Sequence, residues 1–180
     1  MKYIKTELPE VIEFIPSVFE DERGFFFESF NEKIFEKAVG HSVNFVQDNH
    51  SFSKKNVLRG IHYQMHPFCQ GKLVRVINGA VLDLAVDLRK DSKNFGNWII
   101  KEINSEINNQ LWIPPGFGHG FKVISNSVHF LYKTTAYYSK DCERVIAWDD
   151  KDLDIDWGEG EAELSEKDLK GIKFNEAEVF

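Results

Sequence analysis

The chain has no run of apolar residues approaching the ~20 that a membrane span needs, and no basic stripe of the kind that tracks a nucleic-acid backbone. Its formal net charge is −7. That sign argues against nucleic acid as a partner, and an anionic small molecule would need a local cluster of basic side chains to overcome it. There are only two cysteines, Cys69 and Cys142, far apart and outside any Cys-x-x-Cys pattern. A disulfide framework and a thiolate zinc site are therefore not expected. Met1-Lys2-Tyr3-Ile4-Lys5 lacks the long apolar region of a signal peptide, so a soluble cytoplasmic protein with no membrane partner is expected. No repeat, low-complexity tract or linker interrupts the chain.

What is present is a globular composition. With 180 residues, 42% of them hydrophobic and 16 of them Phe, the chain is long enough to bury a core as one domain over residues 1–180. The acidic, less regular stretch from about residue 150 to 180 reads as a segment covering that domain. Short β-type runs dominate. The clearest are Leu73–Ile77 and Ala80–Leu88, separated by Asn78-Gly79, a dipeptide that predicts a two-residue hairpin turn with positive φ at both positions. In the second run Leu82, Leu84, Val86 and Leu88 share one face, while Asp83, Ala85 and Asp87 share the other. The first face should pack on apolar material and the second can hold polar groups. Further strands are predicted at Phe25–Phe30, Phe45–Gln47, Val57–Tyr63, Trp98–Ile103, Gln110–Ile113, Gly120–Ile124 and Val128–Thr135. Asn31–Val39 reads as a short helix, and a helical turn begins at Ser165 with Asp168 three residues on. Many short strands at this spacing indicate an all-β closed sandwich or barrel.

Two stretches carry candidate chemistry. In Leu58-Arg59-Gly60-Ile61-His62-Tyr63-Gln64, alternation places His62 with Gly60 and Gln64, and Arg59 on the opposite face unless the glycine bends the strand. Pro114-Pro115-Gly116-Phe117-Gly118-His119 has the Pro-x-Gly-x-x-His pattern of the second motif of the cupin superfamily, which implies a jelly-roll barrel with a few short helices. Metal-binding cupins also present a His-x-His and a downstream Glu. Here those places read His62, Gln64 and Lys72, and an ammonium is no metal ligand, so no metal site and no cofactor are predicted. Without a metal, His62 can take a proton near neutral pH, Lys72 can stabilise charge developing on oxygen, and Tyr132 can return a proton from another direction. Each residue alone has a blander reading. A strand histidine is more often structural, a strand tyrosine core, and a lysine a solvated charge.

Taken together, the motifs are specific. Asp21-Glu22-Arg23-Gly24-Phe25-Phe26-Phe27-Glu28, Gln47-Asp48-Asn49-His50-Ser51, Leu58–Gln64, Gln70-Gly71-Lys72-Leu73-Val74-Arg75-Val76, Trp112–Phe121 and Leu164-Ser165-Glu166-Lys167-Asp168 resemble the dTDP-4-dehydrorhamnose 3,5-epimerase family over roughly residues 1–170. The resemblance implies His62 as base with Asp168 as its buried partner, Tyr132 as opposing acid, and Lys72 facing a C4 ketone oxygen. It implies Arg23 and Arg59 on a diphosphate. Glu28, Gln47, Asn49 and neighbouring Asp48 fall on the nucleotide, with Tyr138 stacked on thymine. Phe26, His119, Glu143 and Lys167 complete the substrate contacts. The implied substrate is a dTDP-4-keto-6-deoxyhexose. The implied assembly is a homodimer with an exchanged N-terminal strand, so that Arg23, Phe26 and Glu28 complete the partner's site. Enzymes inverting only C3 or C5, a 3,4-ketoisomerase, a metal-dependent oxygenase and a non-catalytic sugar-binding barrel are the alternatives.

Overall fold

The chain crosses between two sheets at Asn78-Gly79 and does not form the hairpin that dipeptide predicts. The computed structural model describes residues 1–180. Its strands are β1 (Lys2–Lys5), β2 (Ile12–Ile15), β3 (Phe19–Asp21), β4 (Gly24–Phe26), β5 (Gln47–Lys54), β6 (Leu58–Gln64), β7 (Lys72–Asn78), β8 (Ala80–Asp87), β9 (Trp98–Asn104), β10 (Gln110–Ile113), β11 (Phe117–Val123), β12 (Ser127–Thr134) and β13 (Glu143–Val145), with one α-helix, α1 (Glu32–Val39). One sheet runs β1-β2-β10-β7-β12-β5 and the other β13-β6-β11-β8-β9, while β3 and β4 pair only with each other. The result is the expected all-β jelly-roll barrel of cupin type. No helix is long and apolar enough to cross a membrane.

The Asn78-Gly79 correction has a tertiary cause. β7 pairs with β10 and β12, and β8 pairs with β11 and β9. Gly79 alone takes positive φ (+89°), and a Cβ there would lie 2.1 Å from the Ser127 carbonyl oxygen. Only glycine allows the corner to approach the next strand so closely, and serines accept from the backbone of the corner (Gly79 N–H to Ser105 Oγ, 3.1 Å; Ala80 N–H to Ser125 Oγ, 2.9 Å).

The alternation in β8 holds. Leu84, Val86 and Leu88 are fully buried with Leu58, Ile61, Ile146, Leu153, Trp157 and Val179. That face is the outside of the second sheet, and the segment from residue 150 covers it. The opposite face looks into the barrel, where Ala85 joins Val74, Val76, Leu111, Ile113, Phe121 and Phe130 in the main core. The outer face of the first sheet is closed by α1, whose Phe35 and Ala38 pack on Ile12, Phe14, Leu73 and Trp112. Asn31 caps that helix by accepting from the Ile34 N–H (3.2 Å), and Gly40 ends it in the left-handed region (φ +89°).

Several predicted strands shift. The Phe25–Phe30 strand shrinks to Gly24–Phe26, and Phe45–Gln47 gives way to β5 over Gln47–Lys54. β5 has no apolar alternation because its inward residues, Gln47, Asn49, Ser51 and Ser53, are all polar. β1, β2, β3 and β13 lie outside the predicted strands.

Candidate active site

The site is assembled from six strands (β5, β6, β7, β11, β12 and β13), the loop that carries Tyr138 and one C-terminal turn. β6 supplies Arg59, His62 and Gln64. Opposite β11, His62 aligns with His119 and Arg59 with Phe121, three steps on one strand against two on the other. The extra residue is a bulge at Gly60-Ile61. Gly60 has φ +132°, and a Cβ on it would lie 2.5 Å from the Gly120 Cα. The bulge reverses the alternation, so Arg59 and His62 line the same cavity. The glycine bends the strand as the sequence allowed.

His62 Nε2 lies 2.6 Å from Asp168 Oδ1 across 106 residues of sequence. Asp168 is 3% exposed and opens a short 3₁₀ turn, Asp168–Lys170. Ser165 stands at the head of that turn as predicted. Its hydroxyl donates to Asp168 Oδ2 (2.6 Å) and accepts from the Asp168 N–H (3.2 Å). Burial pushes the Asp168 carboxyl up, but hydrogen bonds from His62 and Ser165, the His62 charge and the Gly60 N–H outweigh it and hold the group below its ordinary range. Asp168 is therefore a carboxylate at neutral pH. It fixes the His62 proton on Nε2 and leaves Nδ1 as the free acceptor.

Lys72 reaches the same cavity from β7. It is 9% exposed, and its Nζ meets the His62 carbonyl oxygen at 3.5 Å. Burial lowers its pKa to about 8, against the opposing pull of Asp83 and Glu143. Tyr132 enters from β12, and burial raises its phenol above the ordinary value while the Arg59 charge opposes that shift. His62, Lys72, Tyr132, Arg59, His119, Tyr138, Glu143 and Lys167 thus surround one cavity of about 240 Å³. At the rim the Tyr138 hydroxyl donates to Glu143 Oε2 (3.0 Å), and Lys167 Nζ bonds the other oxygen of Glu143. Arg59, Lys72 and Lys167 face Glu143 there, so basic side chains outnumber acidic ones on the cavity wall in a chain of net charge −7.

Three features of the site were not legible in the sequence. Asp83 holds His119 (Nε2 to Oδ2, 3.0 Å) inside the barrel. Burial pushes the Asp83 carboxyl up and the His119 imidazole down. The polar face of β8 was the available signal. Phe130 stacks at 6.1 Å on His119. Gln64, at the place of a second metal imidazole, uses its amide on backbone groups of two loops.

Other expected residues lie outside this cavity. Arg23 and Phe26 are exposed on the β3–β4 hairpin, where Arg23 pairs with Asp21 (2.6 Å). Glu28 is exposed and accepts from Asn31 (3.2 Å). Asp48 pairs with Lys133 (2.9 Å), and Asp48 and Asn49 line a neighbouring hollow with Arg75, Gln110 and Tyr132. Gln47 donates to Asn49 (2.9 Å) and accepts from the Tyr138 N–H (3.2 Å).

A family model described as dTDP-4-dehydrorhamnose 3,5-epimerase matches residues 5–176. The chain is 56% identical to a Shigella flexneri protein of that description, over 100% of this chain and 99% of the relative. It is 52% identical to one from Pseudomonas aeruginosa, again over 100% and 99%. A crystal structure of the dTDP-6-deoxy-D-glucose-3,5-epimerase of Legionella pneumophila in complex with dTDP-4-keto-L-rhamnose superposes with a TM-score of 0.95 at 44% identity, covering 98% of this chain and 94% of that one.

Proposed function

The chain belongs to the dTDP-4-dehydrorhamnose 3,5-epimerase family, and from that premise we propose how its residues invert C3 and C5 of dTDP-4-dehydro-6-deoxy-D-glucose to give dTDP-4-dehydro-L-rhamnose. The C4 ketone acidifies the hydrogens on both neighbouring carbons. His62 Nδ1 removes one, and the bonded Asp168 stabilises the imidazolium that forms. The electron pair moves onto O4, where the buried Lys72 ammonium opposes the developing enolate charge at low cost in reorganisation. Tyr132 returns a proton to the other face of the carbon, which inverts it. Once His62 has given its proton to solvent and Tyr132 has regained one, the same groups act at the second carbon.

The observation that carries this reading is the 2.6 Å His62–Asp168 contact in the cavity shared by Lys72 and Tyr132. Arg59 is the diphosphate ligand within the chain, since a guanidinium fork suits phosphate oxygens. Tyr138 covers the thymine, and His119, Glu143 and Lys167 contact the ligand around it. Incubation with the 4-keto sugar nucleotide in deuterated water tests the scheme. Deuterium should enter both C3 and C5; incorporation at one carbon alone would make the protein a monofunctional epimerase, and none would make it a binder.

The active form is a homodimer in this reading. β3 and β4 pair with no other strand of the chain, and Phe19, Phe25 and Phe26 on them are 65%, 65% and 67% exposed. A second copy that received this hairpin would cover those rings and gain Arg23, Phe26 and Glu28. A cytoplasmic setting fits the two free thiols, Cys69 and Cys142.

A further inference from the structure

Residues 136–139 follow β12 and carry Tyr138, yet none of them makes a backbone–backbone hydrogen bond. Backbone groups of a partly enclosed segment must find partners somewhere, and here they find three glutamines, with the Thr134 hydroxyl as a second donor to the Ala136 carbonyl (2.9 Å). Gln70 Nε2 donates to the Ala136 carbonyl (2.8 Å). Gln64 Nε2 donates to the Tyr137 carbonyl (3.1 Å). Gln47 Oε1 accepts from the Tyr138 N–H (3.2 Å), and Gln64 Oε1 accepts from the Ser139 N–H (2.8 Å). Gln64 also donates to the Phe68 carbonyl (2.7 Å) in the loop between β6 and β7. It is 4% exposed, so its amide is fixed in one orientation and joins both rim loops to the strand that holds His62.

We infer that Gln47, Gln64 and Gln70 form a clamp that sets the backbone of residues 136–139 and so presents Tyr138 to the nucleotide, with Gln64 as its central positioning residue. A loop without its own ladder is intrinsically mobile. Holding it in one shape before the ligand arrives removes an ordering cost from binding. Glutamine suits the task because one amide end can serve a carbonyl and an N–H at the same time. The role of Tyr138 rests on the functional reading above; the clamp itself rests on the hydrogen bonds.

The test uses two readouts. Gln64→Met keeps the side-chain volume and removes the amide. Hydrogen exchange at the Ser139 amide should accelerate in that variant, and an unchanged rate would overturn the clamp whatever the protein binds. Calorimetry with dTDP should show about a tenfold loss of affinity, the scale of one buried hydrogen-bond set. The KM for the sugar nucleotide should rise by more than kcat falls. In a Tyr138→Ala background, Gln64→Met should cost little further affinity, because its effect passes through that ring. A loss that adds in full would overturn the positioning role. If Gln64→Met fails to fold, Gln47→Met, which removes the acceptor of the Tyr138 N–H, gives the same comparison with exchange read at the Tyr138 amide. Failure of the wild-type protein to bind dTDP would overturn the functional reading, while the exchange measurement would still decide the clamp.

Discussion

Asp168 holds His62 by a 2.6 Å hydrogen bond and is itself held by Ser165 at the same distance. The bond orients the imidazole and fixes its tautomer, so the two side chains act as a unit. Asp168→Asn keeps the shape and removes the charge. The amide oxygen can still accept from Nε2–H, but the imidazolium loses its counter-charge. The rate of deuterium incorporation should fall by about 10²–10⁴. His62→Ala should abolish incorporation at both carbons. Incorporation that persists in His62→Ala would reveal a different base. Stability should respond as well. The folded-state pKa of Asp168 is lowered, so the hydrogen bonds it accepts stabilise the fold above the ordinary aspartate value, and that stability is lost as pH falls through the folded value. Melting curves on the acid side should therefore flatten in Asp168→Asn.

Tyr132 has a separable role. Tyr132→Phe removes the proton that the proposal delivers to the far face but leaves the base in place. Exchange at C3 and C5 should continue, while the yield of correctly inverted product drops. Nuclear magnetic resonance of the product distinguishes the two quantities. Unchanged stereochemistry would remove Tyr132 from its role.

Lys72 makes the pH dependence specific. Burial lowers its pKa to about 8, so its charge is lost across a range where an exposed lysine would keep it. The rate should descend above pH 8 as the enolate loses its cation. Lys72→Met should lower the rate by roughly 10²–10³, the scale of one oxyanion-stabilising group, and erase that descending limb. The stability sign runs the other way. The folded-state pKa lies below the ordinary lysine value, so between about 8 and the ordinary value the unfolded chain binds more protons. Stability should rise with pH there, and Lys72→Met should remove the rise.

Much of this architecture was legible, and the failures have physical causes. The alternation of Leu82, Leu84, Val86 and Leu88 against Asp83, Ala85 and Asp87 correctly separated the covered face from the barrel interior. Asn78-Gly79 misled because turn chemistry is local, whereas strand pairing was decided by β10, β11 and β12. β5 escaped because a strand lining a polar site lacks the apolar alternation that marks a half-buried strand. The His62–Asp168 pair could not come from spacing, since 106 residues separate its members; only the family resemblance joined them. Arg59 hung on whether Gly60 would bulge, and the close approach to Gly120 decided that.

The exchange of the β3–β4 hairpin can be tested by complementation. Arg23 is not part of the cavity wall within its own chain and pairs only with Asp21 there. If it completes the partner's site, an Arg23→Ala subunit has a sound base but donates no arginine to its partner. A His62→Ala subunit has no base but still donates a sound Arg23. Each homodimer should be impaired, with His62→Ala inactive. Unfolding and refolding the two together at equal amounts makes half the dimers mixed, and each mixed dimer holds one complete site. Activity should then return to about a quarter of the wild-type sites. If Arg23 served its own subunit, the mixed dimer would hold no complete site, and the mixture would show no more than the average of its parents. Sedimentation of the wild-type protein supplies the remaining condition: a fully active monomer would exclude the exchange.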